Sequence, residues 1–290
     1  MPQMSNRIQL FTDSVIRRMT RISDACQAIN LSQGFPDFPP PKALTDTLKQ
    51  IADNGPHQYS VTYGADNVRE AIAQKASPTL KRSISAADEV LVTCGSTQAM
   101  MCAMMTVCNP GDKVAIFSPF YENYMADTIL CGAEPIFIPL VPPAYQFDSG
   151  LLEQAFQQGA KALILCNPSN PCGKVFTLQE LEQIAALAIQ YDAVVITDEV
   201  YEHIIYAPHQ HIAIASLPGM WERTITCNSL SKTYSITGWR LGYLIAPATV
   251  MDGCRKDHDF LTVAAPSPLQ EAAVTALHFP PSYYTDLQRL

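Results

Sequence analysis

The chain has 290 residues, and 48% of it is apolar. Yet no apolar run approaches the roughly eighteen residues that a membrane span needs. Positive charge is not in excess. Nineteen Lys and Arg against 27 Asp and Glu give a net charge of −8, which argues against a nucleic-acid-binding surface. That balance does not restrict small substrates, because a site can be locally basic on an acidic protein. No two cysteines are spaced C-x-x-C, and no Cys/His cluster has the spacing of metal ligands, so no metal site is expected. The nine cysteines include Cys94, Cys102 and Cys166, which lie in apolar runs and read as buried small hydrophobes. Their odd number, and the lack of an apolar core in residues 1–11, favour a reducing, cytoplasmic setting. No internal repeat or low-complexity tract is visible. What remains is a chain long enough for one large core or two domains.

From residue 89 onward, strand and helix patterns alternate. Strands are expected over residues 89–93, 113–118, 135–140, 162–165 and 193–197, with β-type runs at 224–227 and 241–246. Helices are expected over 96–107, 121–130, 151–157, 178–190, 249–260 and 269–278. Strands separated by helices imply βαβ units, right-handed crossovers and a mostly parallel sheet, hence an α/β fold. Ahead of this lie a surface helix within residues 1–30, with Ile16, Met19 and Ile22 at helical spacing, and further helices over 41–54 and 67–76. Three consecutive prolines keep residues 31–41 (LSQGFPDFPPP) out of a helix. That segment reads either as a rigid linker or as a loop whose Gly34 lets the backbone approach a ligand.

One stretch concentrates chemistry at a probable strand end. Ser229-Leu230-Ser231-Lys232-Thr233-Tyr234 runs on to Gly238-Trp239-Arg240-Leu241-Gly242. Loops at strand ends are where α/β proteins place ligands. A lone lysine there is most often solvated. The alternative is an amine that forms a Schiff base with a carbonyl cofactor, with its pKa lowered by burial or a nearby cation. Such a cofactor needs an anchor for its phosphate, and Arg240, Ser229 and Ser231 could supply one.

Other strand ends add candidates. Gly95, Ser96 and Thr97 stand between a strand and a helix start, where free amides and the helix dipole favour an anion. Ser96 could equally be an ordinary N-cap. Asp198 follows Ala-Val-Val-Ile-Thr and emerges at the edge of a buried strand, where a carboxylate is costly unless paired. Tyr201 follows it by three residues. Tyr121 follows another strand. Asn170 lies in the turn Asn167-Pro168-Ser169-Asn170-Pro171-Cys172-Gly173, which its prolines hold extended or turned. Tyr59 lies in the aromatic loop of residues 58–64.

Together these segments resemble the fold-type I pyridoxal phosphate (PLP) aminotransferases of class I, closest to the methionine- and kynurenine-type enzymes. The resemblance carries expectations. The fold is a three-layer α/β/α large domain over residues 46–275. Residues 1–45 are the N-terminal segment of an incomplete small domain, and 276–290 the start of an interdomain helix. The family runs on through a further segment that completes the small domain and carries an arginine for the substrate carboxylate. No residue here matches that arginine, so a truncated chain is expected.

By resemblance, Lys232 bears the cofactor and moves the α-proton. Asp198 pairs with the ring nitrogen, while Tyr201 and Asn170 face the ring oxygen and Tyr121 stacks on the ring. Gly95, Ser96, Thr97, Ser229, Ser231, Arg240 and the partner chain's Tyr59 hold the phosphate in a homodimer. Gly34 and Asn170 meet the substrate carboxylate. Cys172 stands where the family commonly has threonine. The implied activity moves an amino group from a methionine, glutamine or aromatic-type amino acid to a 2-oxo acid, as part of amino-acid metabolism. The alternatives are a cysteine-conjugate β-lyase and a non-catalytic PLP-binding remnant.

Overall fold

The computed structural model describes residues 3–289. Met1, Pro2 and Leu290, at the ends of the first and last expected segments, lie outside the described residues. Eight strands form one sheet: β1 (Val90–Thr93), β2 (Lys113–Ser118), β3 (Glu134–Val141), β4 (Gln146–Phe147), β5 (Ala160–Cys166), β6 (Val194–Asp198), β7 (Thr224–Ser229) and β8 (Gly242–Ile245). Their order across the sheet is β1-β8-β7-β6-β5-β2-β3-β4. β3, β2, β5, β6 and β7 are parallel neighbours. β8 runs antiparallel between β1 and β7, and the short β4 pairs antiparallel with β3.

The near-continuous apolar strands are explained by cover on both faces. Alternate residues serve opposite cores. Leu91, Val114, Ile116, Ile164 and Leu244 point into one, shared with α4 (Ser96–Val107), α5 (Asn123–Leu130) and α8 (Ala248–Thr262). Their chain neighbours point the other way. Val90, Val92, Tyr243 and Ile245 meet α2 (Lys42–Asn54), α3 (Asp66–Leu80) and α9 (Ser267–Leu277). Ala115, Phe117, Leu163 and Leu165 meet α6 (Ser149–Gln157) and α7 (Leu178–Gln190). Three layers result, α/β/α. α7 begins with a complete capping box between Thr177 and Glu180, which satisfies orphan amides reciprocally.

The helix expected within residues 1–30 is shorter. A 3-10 turn at Asn6–Leu10 precedes α1 (Val15–Ala25), in which no residue is buried. Ser14 caps α1 by accepting from Arg17 N, and Gln27 leaves it at φ 52°. That left-handed conformation cannot continue a helix. α10 (Pro281–Leu287), in the stretch expected to begin an interdomain helix, starts at a proline. A first-turn proline loses no helical hydrogen bond. Pro78 falls inside α3, so that helix runs past the expected residue 76.

Insertion of β8 requires a glycine. Gly242 lies opposite both Thr93 and Ser229. A Cβ there would sit 2.4 Å from the Gly95 carbonyl carbon and 2.5 Å from Ser96 N. Backbone atoms that close cannot rotate away. Gly242→Ala is therefore expected to cost about 2 kcal/mol or more in urea denaturation, by overpacking. Gly238→Ala, with nothing within 4 Å of the added carbon, should stay within about 0.5 kcal/mol of the parent.

Candidate active site

Parallel strands deliver their carboxyl ends to one edge, where a cavity of about 520 Å³ opens. β6 ends on Asp198 and leads to Tyr201, and both line the cavity. β7 ends on Ser229 and leads to Ser231 and Lys232, which line it beside Arg240. Ser96 and Thr97 reach it from the start of α4. Tyr121 follows β2 and Asn170 follows β5, and both also face in. Gly34 closes the rim from the N-terminal segment. Of the residues expected together from sequence, two stand apart from the lining. Gly95 lies behind Arg240, and Tyr59 is 86% exposed on a separate groove with Ser267 and Glu271.

One wall suits an anion. Arg240 takes a left-handed backbone at φ 53° and donates from Nη1 to the Thr237 carbonyl, 3.0 Å away. Its guanidinium pairs with no carboxylate among the described residues. Gly95 (φ 81°) makes room for it, since a Cβ there would lie 2.3 Å from Arg240 Nη2. Gly95, not Ser96, is the N-cap of α4, and Ser96 is the first helical residue. With no side chain at the cap, the Ser96 and Thr97 amides stay free for a ligand, while Gln98 N donates to the Gly95 carbonyl at 3.2 Å. Ser231 N donates to Ser229 Oγ (3.0 Å), and the two hydroxyls lie 2.7 Å apart.

The opposite wall holds a buried acid. Asp198 is 5% exposed. Burial pushes its carboxyl up to about 6, against donors that hold it down. The Tyr124 hydroxyl donates to Oδ2 at 2.8 Å, and Val200 N donates to Oδ1 at 3.3 Å. Lys232 shares the cavity. Burial, then the Arg240 charge, lower its pKa, and Asp198 opposes them. Its Nζ donates to the Gly34 carbonyl at 2.8 Å. A lysine of lowered pKa beside an anion cradle is equipped to act as nucleophile and base. The donor set fits a phosphorylated heteroaromatic aldehyde: cations and amides for the phosphate, a buried acid for a ring nitrogen, and tyrosines for the ring.

Sequence reading missed several residues of this site. Tyr124 is fully buried and orients Asp198, but in sequence it is an ordinary inward position of α5. Arg17 and Glu122 line the cavity mouth. Glu122 accepts from the Ser14 hydroxyl and from Val15 N (3.1 Å), which ties α1 to the site. Only contact across 107 residues reveals that role. Behind Asp198, Glu199 accepts from Thr197 Oγ1 (3.0 Å) and lies 2.9 Å from His211 Nε2. Glu202 completes a cluster with these two that has metal-ligand proximity, but Lys75 Nζ, 2.7 Å from Glu202, already supplies positive charge.

Comparison with known proteins agrees with this geometry. A family model described as aminotransferase class I and II matches residues 27–289. Mouse kynurenine–oxoglutarate transaminase 3 is 36% identical over 99% of the chain, and human kynurenine–oxoglutarate transaminase 1 is 38% identical over 87%. The chain spans 64% and 63% of the lengths of these two relatives. Among solved structures, N-succinyldiaminopimelate aminotransferase of Mycobacterium tuberculosis superposes with a TM-score of 0.95 at 33% identity. That match covers 99% of this chain and 75% of the other. An Escherichia coli protein described as having a methionine aminotransferase function gives 0.94 at 32% identity, covering 100% and 75%.

The Tyr124 contact is testable through pH. Asp198 titrates above its ordinary 3.8, so its contribution to stability declines as pH rises from about 4 to about 6. Tyr124→Phe removes a donor to the ionised form and pushes Asp198 higher. The variant should lose about 1–3 kcal/mol at pH 8 and clearly less at pH 5, read from urea midpoints. An equal loss at both values would separate the hydroxyl from the ionisation of Asp198.

Proposed function

From the chain's membership of the class I and II aminotransferases, we propose that it binds pyridoxal phosphate on Lys232 and transfers an amino group from an amino acid to a 2-oxo acid. The observation that carries this reading is the opening of Lys232, Asp198 and Arg240 onto one cavity. Donors of methionine, glutamine or aromatic type fit the resemblance to kynurenine- and methionine-type relatives. In the same reading, residues 46–275 are the cofactor-holding body, and 1–45 and 276–290 belong to a smaller one. The protein works as a homodimer, in which the exposed Tyr59 reaches the neighbouring subunit's phosphate.

Bound pyridoxal phosphate supplies a carbonyl that an amine can condense with and a ring that withdraws electrons from the substrate α-carbon. The protein does the rest. Arg240, Ser229, Ser231, Ser96, Thr97 and the free amides after Gly95 would hold the phosphate, with the guanidinium gripping it in bidentate fashion. Asp198 would accept from the ring nitrogen, and its burial makes the ionised carboxylate seek that proton. Tyr121 would cover a ring face. Asn170 and Tyr201 would donate to the ring oxygen, and the Tyr201 phenol, raised by burial, stays a donor across the physiological range. Lys232 Nζ, with its lowered pKa, would take the proton from the substrate α-carbon and pass it to the carbon that had been the cofactor's carbonyl, acting as base and then as acid. Gly34 and Asn170 would face the substrate carboxylate.

Incubation with pyridoxal phosphate followed by borohydride reduction should label one peptide, that containing Lys232, as read by mass spectrometry. Lys232→Ala should leave the protein unlabelled. Persistence of the label in that variant would overturn the assignment. Arg240→Ala should keep the label but weaken uptake by about tenfold or more, the scale of a charge-assisted contact.

A further inference from the structure

Asp127 sits on α5 one helical turn beyond Tyr124, whose hydroxyl donates to Asp198. It is 4% exposed. Its Oδ2 is enclosed, and no hydrogen-bond donor reaches it among the described residues. A buried carboxyl without a partner is costly once ionised, and each such group in a folded protein calls for a reason.

Among the described residues no cation pairs with it. From β6 comes Asp198, whose charge adds to burial in pushing Asp127 up to about 7. On α5 is the phenol of Tyr124, and flanking it are the Tyr121 phenol before its start and the Cys131 thiol at its C-cap. The end of α4 contributes the Cys108 thiol and α8 contributes Asp257, both of which bear on Cys131. β3 adds only Glu134, exposed at its start. The 3-10 turn at Asn6–Leu10 adds Arg7, which lines a groove with Ile129 and Leu130 at the far end of α5.

We propose that Asp127 is a positioning residue of the site: a second buried carboxyl that acts through Asp198, so that two acids set the negative charge facing the ring-nitrogen position. The proposal rests on the reading of Asp198 given above. The two buried carboxyls disfavour each other's ionisation, so the charge of one makes the other hold its proton longer. While protonated, Asp127 adds nothing to the field. Once it ionises, a second negative charge stands behind Asp198 and favours retention of the proton on any base held against it. The two groups titrate as a pair, in two steps that belong to the pair.

Two variants of the full chain remove the charge: Asp127→Asn, with little change of volume, and Asp127→Leu, which keeps the branched shape with larger, apolar ends. The first measurement is the melting temperature from pH 4 to pH 9 without cofactor. Asp127 titrates above its ordinary 3.8, so its contribution to stability declines as pH rises from about 4 to about 7. Both variants should lose that slope and gain more over the parent at pH 8 than at pH 5. In an Asp198→Asn background the remaining Asp127 transition should move to lower pH. Melting curves of the two variants that run parallel to the parent, or an Asp127 transition unmoved by Asp198→Asn, overturn the proposal.

The second measurement is pyridoxal phosphate uptake, followed by visible absorbance into the alkaline range. Asp127→Asn should shift the alkaline limb down by about half a pH unit, about threefold in uptake on that limb. An unmoved limb overturns the link to the ring position. If the parent takes up no pyridoxal phosphate at any pH, the reading of the site itself falls. The melting curves alone then uphold or overturn the pairing of the two acids.

Discussion

Asp198 occupies the last position of β6, in the middle of the sheet, with Cys166 and Cys227 at the same level on its neighbours. A carboxylate there has lost almost all of its water. It receives one phenolic and one amide hydrogen bond in return, which is less than full hydration and leaves its pKa raised. A cationic partner would remove that deficit. Lys232 shares the cavity and lowers the pKa of Asp198, as Asp198 raises that of Lys232. Arg240 works in the other direction on the lysine. The site thus joins an acid short of positive charge to a lysine pushed toward neutrality, and a bound ring with a protonated nitrogen would relieve the acid while favouring the neutral amine.

The arrangement depends on a backbone that only glycine permits. β8 runs against its neighbours and begins where β1 and β7 end, so three chain segments meet at Gly242. Two of them, Gly95–Ser96 and Gly242, touch without side chains between them. This closeness frees the first turn of α4 and leaves the Arg240 guanidinium lying over Gly95. The fit for an anion here comes from strand packing that sets free amides beside one guanidinium. The chain as a whole is acidic.

Much of this was legible in the sequence. The limits of α4, β2 and α7 follow from clear caps and punctuation: Gly95 before Ser96, Asn109-Pro110-Gly111 before Lys113, and Thr177 with Glu180. Asp198 was legible because it is polar at the end of a buried apolar strand, and Lys232 and Arg240 because of their spacing in one loop between two β-type runs. Tyr124 and Asp127 were not. They sit at inward positions of a helix in a pattern that an ordinary core would also show, and their meaning comes only from β6 across 74 residues of chain. The antiparallel direction of β8 was also hidden, because strand direction depends on where the short loop after Ser229 turns, not on composition. Tyr59 points away from its own chain's cavity, so one chain's sequence and fold do not say what it meets.

The proline-rich N-terminal segment shows how a stretch without regular structure can serve a site. Residues 31–41 form neither helix nor strand, so their carbonyls are not spent on internal ladders. Gly34 O accepts from Lys232 Nζ and Phe38 O accepts from the Ser235 hydroxyl. In a helix those acceptors would already be committed. Prolines therefore do more than stiffen the segment, because they keep its carbonyls available to the Lys232 loop. The two ties differ in kind. The serine contact is neutral and permanent, whereas the lysine contact is strongest while Nζ is charged and is given up when that amine bonds elsewhere. With Lys232 occupied, the segment would still be tied through Phe38 to Ser235 and through Gln33 to the Thr20 hydroxyl (3.1 Å).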